Sequence, residues 1–368
     1  MTPSAASVSE RGPQALLSRR LYEFPPGIGV RIVAASSAAL SYFDAEYGRL
    51  ANDGCPDLRL DVYVGKYGRI VESLPSGASD WVVHRRRHKL TRWTIGFSGL
   101  EEERTRVAFE GQGLMVLPYL QNFYLEPLLR IKFLQAGHAL VHGSSLIKGA
   151  NSVLFPGGSR VGKTSLTLQQ ALKGKAIQGD NCVIVTPKGQ TFAFPRRLRI
   201  YSDLRRTYPD AYHRLRLRER IRLRLANLLK DLSFGYANPA TRLGIQTFVP
   251  DCTIRPIARL HSIFVLTSHG RSELVGPIPL GLDELVEKVQ AHSFAEGRWL
   301  AEALAPYLGR HPESRLLRAA EIEREILHRA FAEVPAFELL VPCVADPGAI
   351  VSRIASITGL DEGPPEQA

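Results

Sequence analysis

The clearest chemical signal in the sequence is a glycine-rich segment that matches the pattern G-x-x-x-x-G-K-[ST]. Glycines at these positions let successive backbone N–H groups converge on the oxygens of a phosphate chain. The lysine of the pattern is expected to reach the β and γ phosphates, and the threonine hydroxyl to ligate Mg²⁺. We therefore predict a nucleotide site that uses ATP and Mg²⁺, formed by Gly157, Gly158, Ser159, Arg160, Val161, Gly162, Lys163, Thr164 and Ser165.

The segments around this loop are patterned as such a motif requires. Apolar runs at 140–147 and 152–155 predict a β-hairpin whose second strand enters the loop. Leucines at helical spacing predict a helix over 164–172 that is closed by Gly174. A second strand pair is expected at 176–185 and 191–194. This setting predicts nucleotide binding, although the motif alone does not separate an ATPase, a GTPase, a kinase or a transporter motor.

Two further polar residues stand on either side of the loop in the sequence. His142 lies fifteen positions before Gly157, and Asp180 lies seventeen positions after Lys163. A carboxylate beside an acceptor hydroxyl can orient it and take its proton, which makes Asp180 a candidate general base. Asp180 can equally ligate Mg²⁺, and His142 can contact the carboxylate or the phosphate, or be structural. From their chemistry we predict Asp180 and Lys163 as catalytic residues, and Thr164 and Asp180 as metal ligands.

These intervals resemble those of the HPr kinase/phosphorylase family. In that family, a hairpin beginning with a catalytic His leads into the phosphate loop, and a catalytic Asp ends the strand after the next helix. The resemblance therefore implies that His142 and Asp180 are catalytic residues. Residues 141–185 look like the catalytic core of the family, with a looser likeness at 194–198 and 336–339. The resemblance implies a fold shared with phosphoenolpyruvate carboxykinase. It points to the broad HPr kinase-like group, which includes small kinases from peptide-modification gene clusters.

The chain departs from the pattern of that family in two places. The family usually has two adjacent aspartates, whereas Asn181 follows Asp180 here. No acidic residue lies between Asp180 and Asp203 to stand for the downstream glutamate of the family. The first 120 residues carry no motif of the HPr-specific enzymes. The resemblance therefore implies a kinase whose acceptor is not HPr itself.

A basic tract follows the strand pair predicted at 176–185 and 191–194. Residues 196–231 contain eleven arginines and one lysine against four acidic residues, so eight of the formal net charges of +11 belong to this segment. Its first members stand close enough in sequence to the strands to contact a nucleotide phosphate or an acceptor. They are Arg196, Arg197 and Arg199.

The second half of the tract has the spacing of an amphipathic helix over 214–232. Leu217, Ile221, Leu225, Leu228 and Leu232 recur at steps of three and four, which predicts a buried leucine face between two rows of arginines. Four interpretations of the arginines remain open. They form a solvated face over apolar neighbours, dock an acidic acceptor, bind nucleic acid, or, least favoured, attach to a membrane.

The whole chain of 368 residues predicts an α/β, mixed α+β protein with a phosphoenolpyruvate carboxykinase-like P-loop core. We expect a disordered lead-in at 1–20 and a β-rich N-terminal domain at 21–125 whose runs form a meandering antiparallel sheet. The core is expected at 126–275 with an arginine-rich helical insertion at 200–235. A helical region follows at 276–360, with a strand near 337–341 that returns to the core, and a tail at 361–368.

Four widely spaced cysteines, no signal peptide and no apolar run of membrane-spanning length predict a cytoplasmic protein. Our leading hypothesis is a kinase that uses ATP and Mg²⁺ to phosphorylate a hydroxyl of a peptide, protein or small molecule. The acceptor is expected to be acidic, and the choice between a monomer and a homo-oligomer stays open. The first alternative is a nucleotide-gated binding protein whose arginine tract holds nucleic acid or an acidic partner. The second is a phosphorylase that runs the reverse reaction.

Overall fold

The computed structural model describes residues 18–34, 36–52, 54, 56–65, 81–88, 91–111, 113–159, 161–201, 203–234, 240–270, 272–343 and 347–361. The protein is a mixed α+β structure, and the chain divides into two compact units. The first unit contains residues up to 23 together with 29–118, and the second contains 24–28 together with the residues from 119 onward. No helix in the described ranges is long and apolar enough to cross a membrane.

The first unit is built on a six-stranded sheet. Its strands are β1 (Ser18–Phe24), β2 (Ile28–Ala34), β3 (Arg59–Val64), β4 (Val82–His88), β5 (Thr91–Ser98) and β6 (Arg104–Gly111), in the order β1-β2-β3-β6-β5-β4. The apolar runs expected between residues 30 and 109 are confirmed as strands. The disordered lead-in expected over 1–20 is wrong for its last three residues, because β1 begins at Ser18. Residues 1–17 lie outside the described part of the chain.

The expected antiparallel meander is wrong in direction. Strand β3 pairs in parallel with both β2 and β6, and antiparallel pairing is restored at β5 with β6 and β4. Helix α1 (Ser37–Tyr47), which we did not expect, makes the crossover between β2 and β3. Parallel neighbours need such a crossover, since a tight turn joins only antiparallel strands. Alternating apolar residues identify the strands but do not encode their direction.

The centre of this sheet holds a buried carboxylate. Asp61 on β3 is fully buried and accepts charge-assisted bonds from Arg31 on β2 at 2.8 Å and from Arg104 on β6. Arg59, two residues earlier on β3, lies 3.3 Å from the same carboxylate. A carboxylate in an apolar environment must be paired, and the parallel register supplies its partners from three adjacent strands.

The second unit begins with three consecutive helical segments, α2 (Leu117–Leu120), a π-helical turn (Gln121–Leu125) and α3 (Glu126–Gln135). Strands β7 (Ala139–Lys148) and β8 (Asn151–Pro156) form the expected hairpin, and α4 (Lys163–Leu172) follows the loop. Next come β9 (Ile177–Gly179), β10 (Cys182–Val185), β11 (Gln190–Ala193) and β12 (Leu198–Ile200). Residues 176–185 are therefore two strands and not the single one expected, and the break between them holds Asp180.

The remaining helices and strands follow one another in groups. They are α5 (Leu204–Thr207), α6 (Pro209–Arg214), α7 (Leu217–Leu232), β13 (Thr241–Leu243), β14 (Ile257–His269), β15 (Val275–Pro279), α8 (Leu282–Leu308), α9 (Ala319–Phe331), β16 (Ala336–Pro342) and α10 (Pro347–Ile357). Within the expected helical region, the sequence pattern predicts helices over 281–333 and a short closing helix over 349–357, and both are confirmed together with the strand near 337–341. Strand β15, which contains two prolines at the sheet edge, was missed, since proline is unfavourable within a strand pattern.

The main sheet of this unit is mixed. Its order is β11-β10-β7-β8-β14-β16-β15, with β9 beside β7 and a further pairing of β11 with β14. Strand β14 pairs in parallel with β8 and β16, whereas β7 pairs antiparallel with β8 and β10. Both faces of the sheet are covered. Successive residues of β14 alternate between the two cores: Phe264 and Leu266 face α4 and α10, and Ile263 and Val265 face α8 and α9.

Helix α7 confirms the helix expected from the arginine tract but reverses its orientation. The five residues of the expected buried leucine face are all exposed, and the inward side carries Glu219, Leu223 and Ala226. Leu223 packs in the same core as Leu243 of β13. The prediction was wrong because this helix has apolar residues on two opposite faces, and the narrower face is the one that meets the core.

Candidate functional site

The loop predicted to bind phosphate begins at Gly157 and connects the central strand β8 with helix α4. Gly157 continues β8 and bridges in parallel to Leu266 of β14. A Cβ atom on Gly157 would lie 2.6 Å from the carbonyl oxygen of Leu266, so this close approach of two backbones requires glycine. Gly162 has φ +92°, a left-handed conformation that turns the chain into the first residue of α4. The two glycines that open and close the motif are thus required by the fold of the loop.

Lys163 is the first residue of α4 and is buried. Its Nζ donates to the carbonyl oxygens of Gly157 and Gly158, at 2.6 Å each, so the ammonium group lies across the loop. The N-terminal end of a helix favours anions because its first N–H groups have no partner within the helix. The loop thereby combines backbone donors, a helix N-terminus and one buried cation. Arg160, predicted as part of the loop, lies outside the described residues.

Asp180 lies in the break between β9 and β10 and faces the start of α4. Its Oδ2 accepts a hydrogen bond from the hydroxyl of Thr164 at 2.8 Å, and its Oδ1 accepts one from the hydroxyl of Thr167 at 3.2 Å. Thr164 and Thr167 are one turn apart on α4, so both hydroxyls project from the same face of the helix. The structure therefore places the predicted base directly against the last residue of the predicted loop motif.

The carboxyl group of Asp180 has an altered acidity. Burial raises its pKa, and this effect exceeds the opposing hydrogen bonds from Thr164 and Thr167 and the positive charges of Lys163 and Arg196. Burial disfavours the charged form of an acid, whereas hydrogen-bond donors and cations favour it. A carboxylate with a raised pKa accepts a proton more readily than an exposed aspartate does.

His142 lies on β7, next to the break that holds Asp180. It is the register partner of Cys182 on β10, and the backbone N–H of the next residue, Gly143, donates to the carbonyl oxygen of Asn181 at 2.9 Å. His142 is buried and borders a small cavity of about 40 Å³, which Glu126, Arg130 and Ser293 also line. The fold thus brings His142, Asp180 and Lys163, which are far apart in sequence, to the same end of the central strands of the sheet.

The long helix α8 contributes two site residues that sequence reasoning missed. A Cβ atom on Gly158 would lie 3.8 Å from Nδ1 of His292, so this imidazole stands beside the phosphate loop. The hydroxyl oxygen of Ser293 accepts a hydrogen bond from the backbone N–H of His142 at 3.4 Å. No local motif marks these residues, since their proximity to the loop comes only from the packing of α8 on the sheet.

His292 lies in a positive environment. Burial lowers its pKa, and the positive charges of Lys163, His142 and Lys288 lower it further. The imidazole is therefore neutral near pH 7 and can accept or donate a hydrogen bond without adding a charge.

An ion pair fixes α8 to the sheet beside these residues. Lys288 Nζ donates to Glu338 Oε1 on β16 at 2.8 Å, and the hydroxyl of Thr267 on β14 donates to the same oxygen at 2.6 Å. Burial of Glu338 acts to raise its pKa, but the hydrogen bonds from Lys288 and Thr267 outweigh burial and lower it. The pair lies one helical turn from His292 and positions that part of α8.

The arginines predicted to contact phosphate or acceptor fall into two groups. Arg196 and Arg199 converge on Asn122, where their Nη2 atoms donate to Oδ1 at 2.5 and 2.8 Å. Arg242 on β13, which sequence reasoning did not single out, donates to the same oxygen at 2.9 Å. Arg197 is half-buried on the segment between β11 and β12.

Glu126 at the start of α3 partly balances this cluster, at 3.0 Å from Arg196. Asn122 accepts from all three guanidinium groups, and Gln121 Oε1 also accepts from Arg242. The charge of Arg196 acts to lower the pKa of Asp180, against the larger effect of burial. A guanidinium group is well suited to bind phosphate or carboxylate groups because its planar donors match their geometry.

The oxygen atoms at the loop fit a small divalent cation. The Thr164 hydroxyl and the Asp180 carboxylate, 2.8 Å apart, are hard oxygen donors of the kind that Mg²⁺ prefers. The described residues contain no group of three or more His, Cys, Asp or Glu side chains that could hold a metal ion. Mg²⁺ at this position would thus take its remaining ligands from phosphate oxygens and water, as is usual for nucleotide sites.

No protein-family model matches the chain. No curated protein matches it either.

Proposed function

We propose that the protein is a phosphotransferase that binds ATP and Mg²⁺ at the loop 157–165 and transfers the γ-phosphate to a hydroxyl of a peptide, protein or small molecule. The observation that carries this proposal is the 2.8 Å contact between Asp180 and Thr164. It joins a buried carboxylate of raised pKa to the residue of the motif that ligates Mg²⁺ in phosphate loops. A carboxylate in this place can ligate Mg²⁺ and, in a kinase, take the proton of the acceptor hydroxyl.

The assigned roles follow from position and charge. Lys163 and the N–H groups of the loop would hold the β and γ phosphates, while Thr164 and Asp180 would hold Mg²⁺. The cation supplies charge neutralisation along the phosphate chain when it is bound. Asp180 would orient the acceptor hydroxyl and remove its proton. His142 and His292 lie at the same end of the sheet and would hydrogen-bond the transferred group or the carboxylate.

We further propose that the core has the phosphoenolpyruvate carboxykinase-like fold and that the chain is similar to the HPr kinase-like group. Three observations support this. The antiparallel hairpin β7–β8 leads directly into the loop, β8 and β14 pair in parallel behind it, and a carboxylate follows the strand after α4. His142 near the start of the hairpin occupies the place that the family gives to its catalytic histidine.

The charge around Asn122 supports an acidic acceptor. Arg196, Arg199 and Arg242 meet at Asn122, and Glu126 pairs with Arg196. An acceptor that carries a phosphate or carboxylate group near its hydroxyl would offer these guanidinium groups a further anionic partner. Such a group would also fix the orientation of the hydroxyl relative to Asp180.

The test is transfer of label from γ-labelled ATP by the full chain, with peptide and metabolite fractions of the host cell as acceptors. We expect labelled product with the wild type, and a loss of about 10²-fold or more in Asp180→Asn, because removing a general base usually lowers rates by this amount. Asp180→Asn should bind ATP with an affinity within about threefold of the wild type, since the loop and Lys163 remain.

Asp251→Asn is the matched control, because Asp251 is an exposed aspartate in a turn of the same unit. It should transfer label at the wild-type rate. Full activity of Asp180→Asn would overturn the role of Asp180. Tight ATP binding by the wild type with no transfer to any fraction would instead favour a nucleotide-gated binding protein.

A further inference from the structure

Helix α7 presents an apolar surface to solvent. Six large aliphatic side chains on it are between 46% and 72% exposed. We refer to them together as the leucine face. It consists of Leu217, Ile221, Leu225, Leu228, Leu229 and Leu232. An exposed apolar patch of this extent, bordered by charged residues, marks an interaction site on a folded protein.

The leucine face lies directly opposite the side of α7 that packs on the core. Glu219, Leu223 and Ala226 are buried and define the inward side. With about 100° per residue, the exposed aliphatic residues cover an arc of about 120° centred on the outward side. From Leu217 to Leu232 the face is about 22 Å long. It is therefore a convex ridge on the surface and not the wall of a groove.

The spacing of the face indicates a flat partner. Its central row follows steps of four, four, three and four residues, from Leu217 to Leu232. The first three steps span eleven residues, about 3.67 per turn, which is close to the 3.6 of a straight α-helix, whereas a left-handed coiled coil requires a mean step of 3.5. Leu229 also widens the face beyond the narrow seam of a helix pair. A broad, straight ridge fits a plane better than it fits a second helix.

Arginines border the leucine face on both sides. Arg218 and Arg222 project along one edge, and Arg220 and Arg224 along the other. Contacts with α6 hold two of them in place: Arg224 Nε donates to the hydroxyl of Tyr212 at 3.3 Å, and Arg220 Nη2 donates to the carbonyl oxygen of His213. Two such helices would bring these cations together, so charge disfavours a second copy of the chain as the partner.

An open basic cavity of about 700 Å³ lies along one side of the helix. Arg205 and Arg206 of α5 line it together with Arg224 and Lys230 of α7, and Asp203 and Asp231 provide the acidic lining. Leu228 of the leucine face also reaches this cavity. Apolar contact and a site for anionic groups are therefore adjacent.

One aromatic side chain extends the face at its end. Phe234 follows the last turn of α7 with φ +50° and is 99% exposed. Aromatic and aliphatic residues on one side of a helix, with arginines along its borders, are typical of helices that lie in the interface of a bilayer.

We infer that α7 binds the surface of an anionic lipid bilayer, with the leucine face and Phe234 among the acyl chains and the bordering arginines at the lipid phosphates. A bilayer accepts a convex ridge without a preformed groove, and anionic headgroups balance the arginines. The inference is independent of nucleotide binding. It assigns the basic tract to positioning the protein at a membrane surface, close to an acceptor located there.

The experiment is co-sedimentation of the full chain with vesicles, without nucleotide. We expect binding to vesicles of phosphatidylcholine with about 30 mol% phosphatidylglycerol, and little binding to phosphatidylcholine alone. The double variant Leu225→Gln/Leu228→Gln should bind these vesicles at least about tenfold more weakly than the wild type, because each substitution removes apolar area that would be buried in the bilayer. Arg218→Gln/Arg222→Gln should bind about thirtyfold more weakly. Each arginine near an anionic surface contributes about 1 kcal/mol, and about 1.4 kcal/mol corresponds to a tenfold change in affinity.

Two matched variants control for these changes. Met115→Gln/Leu317→Gln removes exposed apolar side chains elsewhere, and Arg298→Gln/Arg318→Gln removes two exposed arginines outside α7. Both should bind vesicles like the wild type. All variants change exposed side chains, and circular dichroism checks that each is folded.

Absence of binding to the anionic vesicles would overturn the inference, as would unchanged binding of the leucine variant. Sedimentation velocity tests the remaining occupant. A wild-type dimer that Leu225→Gln/Leu228→Gln converts to a monomer would show that a second copy covers the face. If the wild type neither bound ATP nor transferred phosphate, the proposed function would be overturned. The vesicle experiment would still stand, because it is done without nucleotide.

Discussion

Asp180 derives its chemistry from its immediate neighbours. Two hydroxyls of α4 donate to its two oxygens, and burial raises its pKa. The same burial keeps water from competing for the carboxylate. In the proposed function, this fixed carboxylate accepts a proton from a hydroxyl that enters from the side of the loop.

Residues that support the site from α8 can be tested through stability. Glu338→Gln removes the charge that Lys288 and Thr267 hydrogen-bond, and we expect it to lower the free energy of unfolding at pH 7 by about 1–2 kcal/mol. The pKa of Glu338 is lowered in the folded protein. Its contribution is thus present above pH about 4.5 and disappears as the pH falls through the folded pKa. Urea unfolding at pH 7 and at pH 3.5 measures this difference.

Glu287→Gln is the control on the same helix, since Glu287 is exposed. Its unfolding free energy should match that of the wild type at both pH values. A difference between Glu338→Gln and the wild type that stays constant down to pH 3.5 would show that the charge of Glu338 does not stabilise the attachment of α8.

The loop residues and Asp180 could be identified from the sequence because each belongs to a local pattern or a fixed interval. Gly157 and Gly162 are set by the backbone of the loop itself. His292 and Arg242 could not be identified, because they approach the site only through the packing of α8 and the pairing of β13 with β12. Such contacts follow from tertiary structure and leave no spacing in the sequence.

At the scale of the element, helix α7 shows how a correct assignment can have the wrong orientation. The periodicity of its leucines predicted the helix, but the choice between its two apolar faces depends on what lies beneath. Leu223 and Ala226, on the narrower face, fit against β13. The direction of β3 was likewise not encoded, since its crossover helix α1 lay in a segment with no expected element.

The orientation of α7 predicts opposite effects for two leucines that are two residues apart. Leu223→Ala should lower the free energy of unfolding by about 2–4 kcal/mol, because it leaves a cavity in the core. Leu225→Ala should change it by less than about 0.5 kcal/mol, because Leu225 is 59% exposed. Chemical denaturation of the two variants measures both values.

Leu225→Ala serves as the matched control for Leu223→Ala, since the two remove the same atoms from the same helix. The reverse order of effects would show that the leucine face packs inward, as the sequence pattern had predicted. Equal and large losses would mean that both faces are covered in solution.

At the scale of the whole molecule, the net charge of +11 has a defined distribution. Eight of these charges fall between residues 196 and 231, in the segment that runs from the arginine cluster at Asn122 to the end of α7. One part of this segment lies beside Asp180 and the other borders the leucine face. Under the two proposals, this positive charge faces the phosphates of the reaction and the headgroups of a bilayer.

The most direct test of the proposed site is calorimetric titration of MgATP into the full chain, its Lys163→Ala variant and its Lys173→Ala variant. Lys173 ends the same helix and pairs with Asp361 at 2.6 Å on the surface, away from the loop. We expect one MgATP per chain for the wild type and Lys173→Ala, and an affinity about 10–100-fold lower for Lys163→Ala, since a charged hydrogen-bond donor to phosphate is lost. Equal MgATP affinity of Lys163→Ala and the wild type, or no binding to the wild type, would contradict the site.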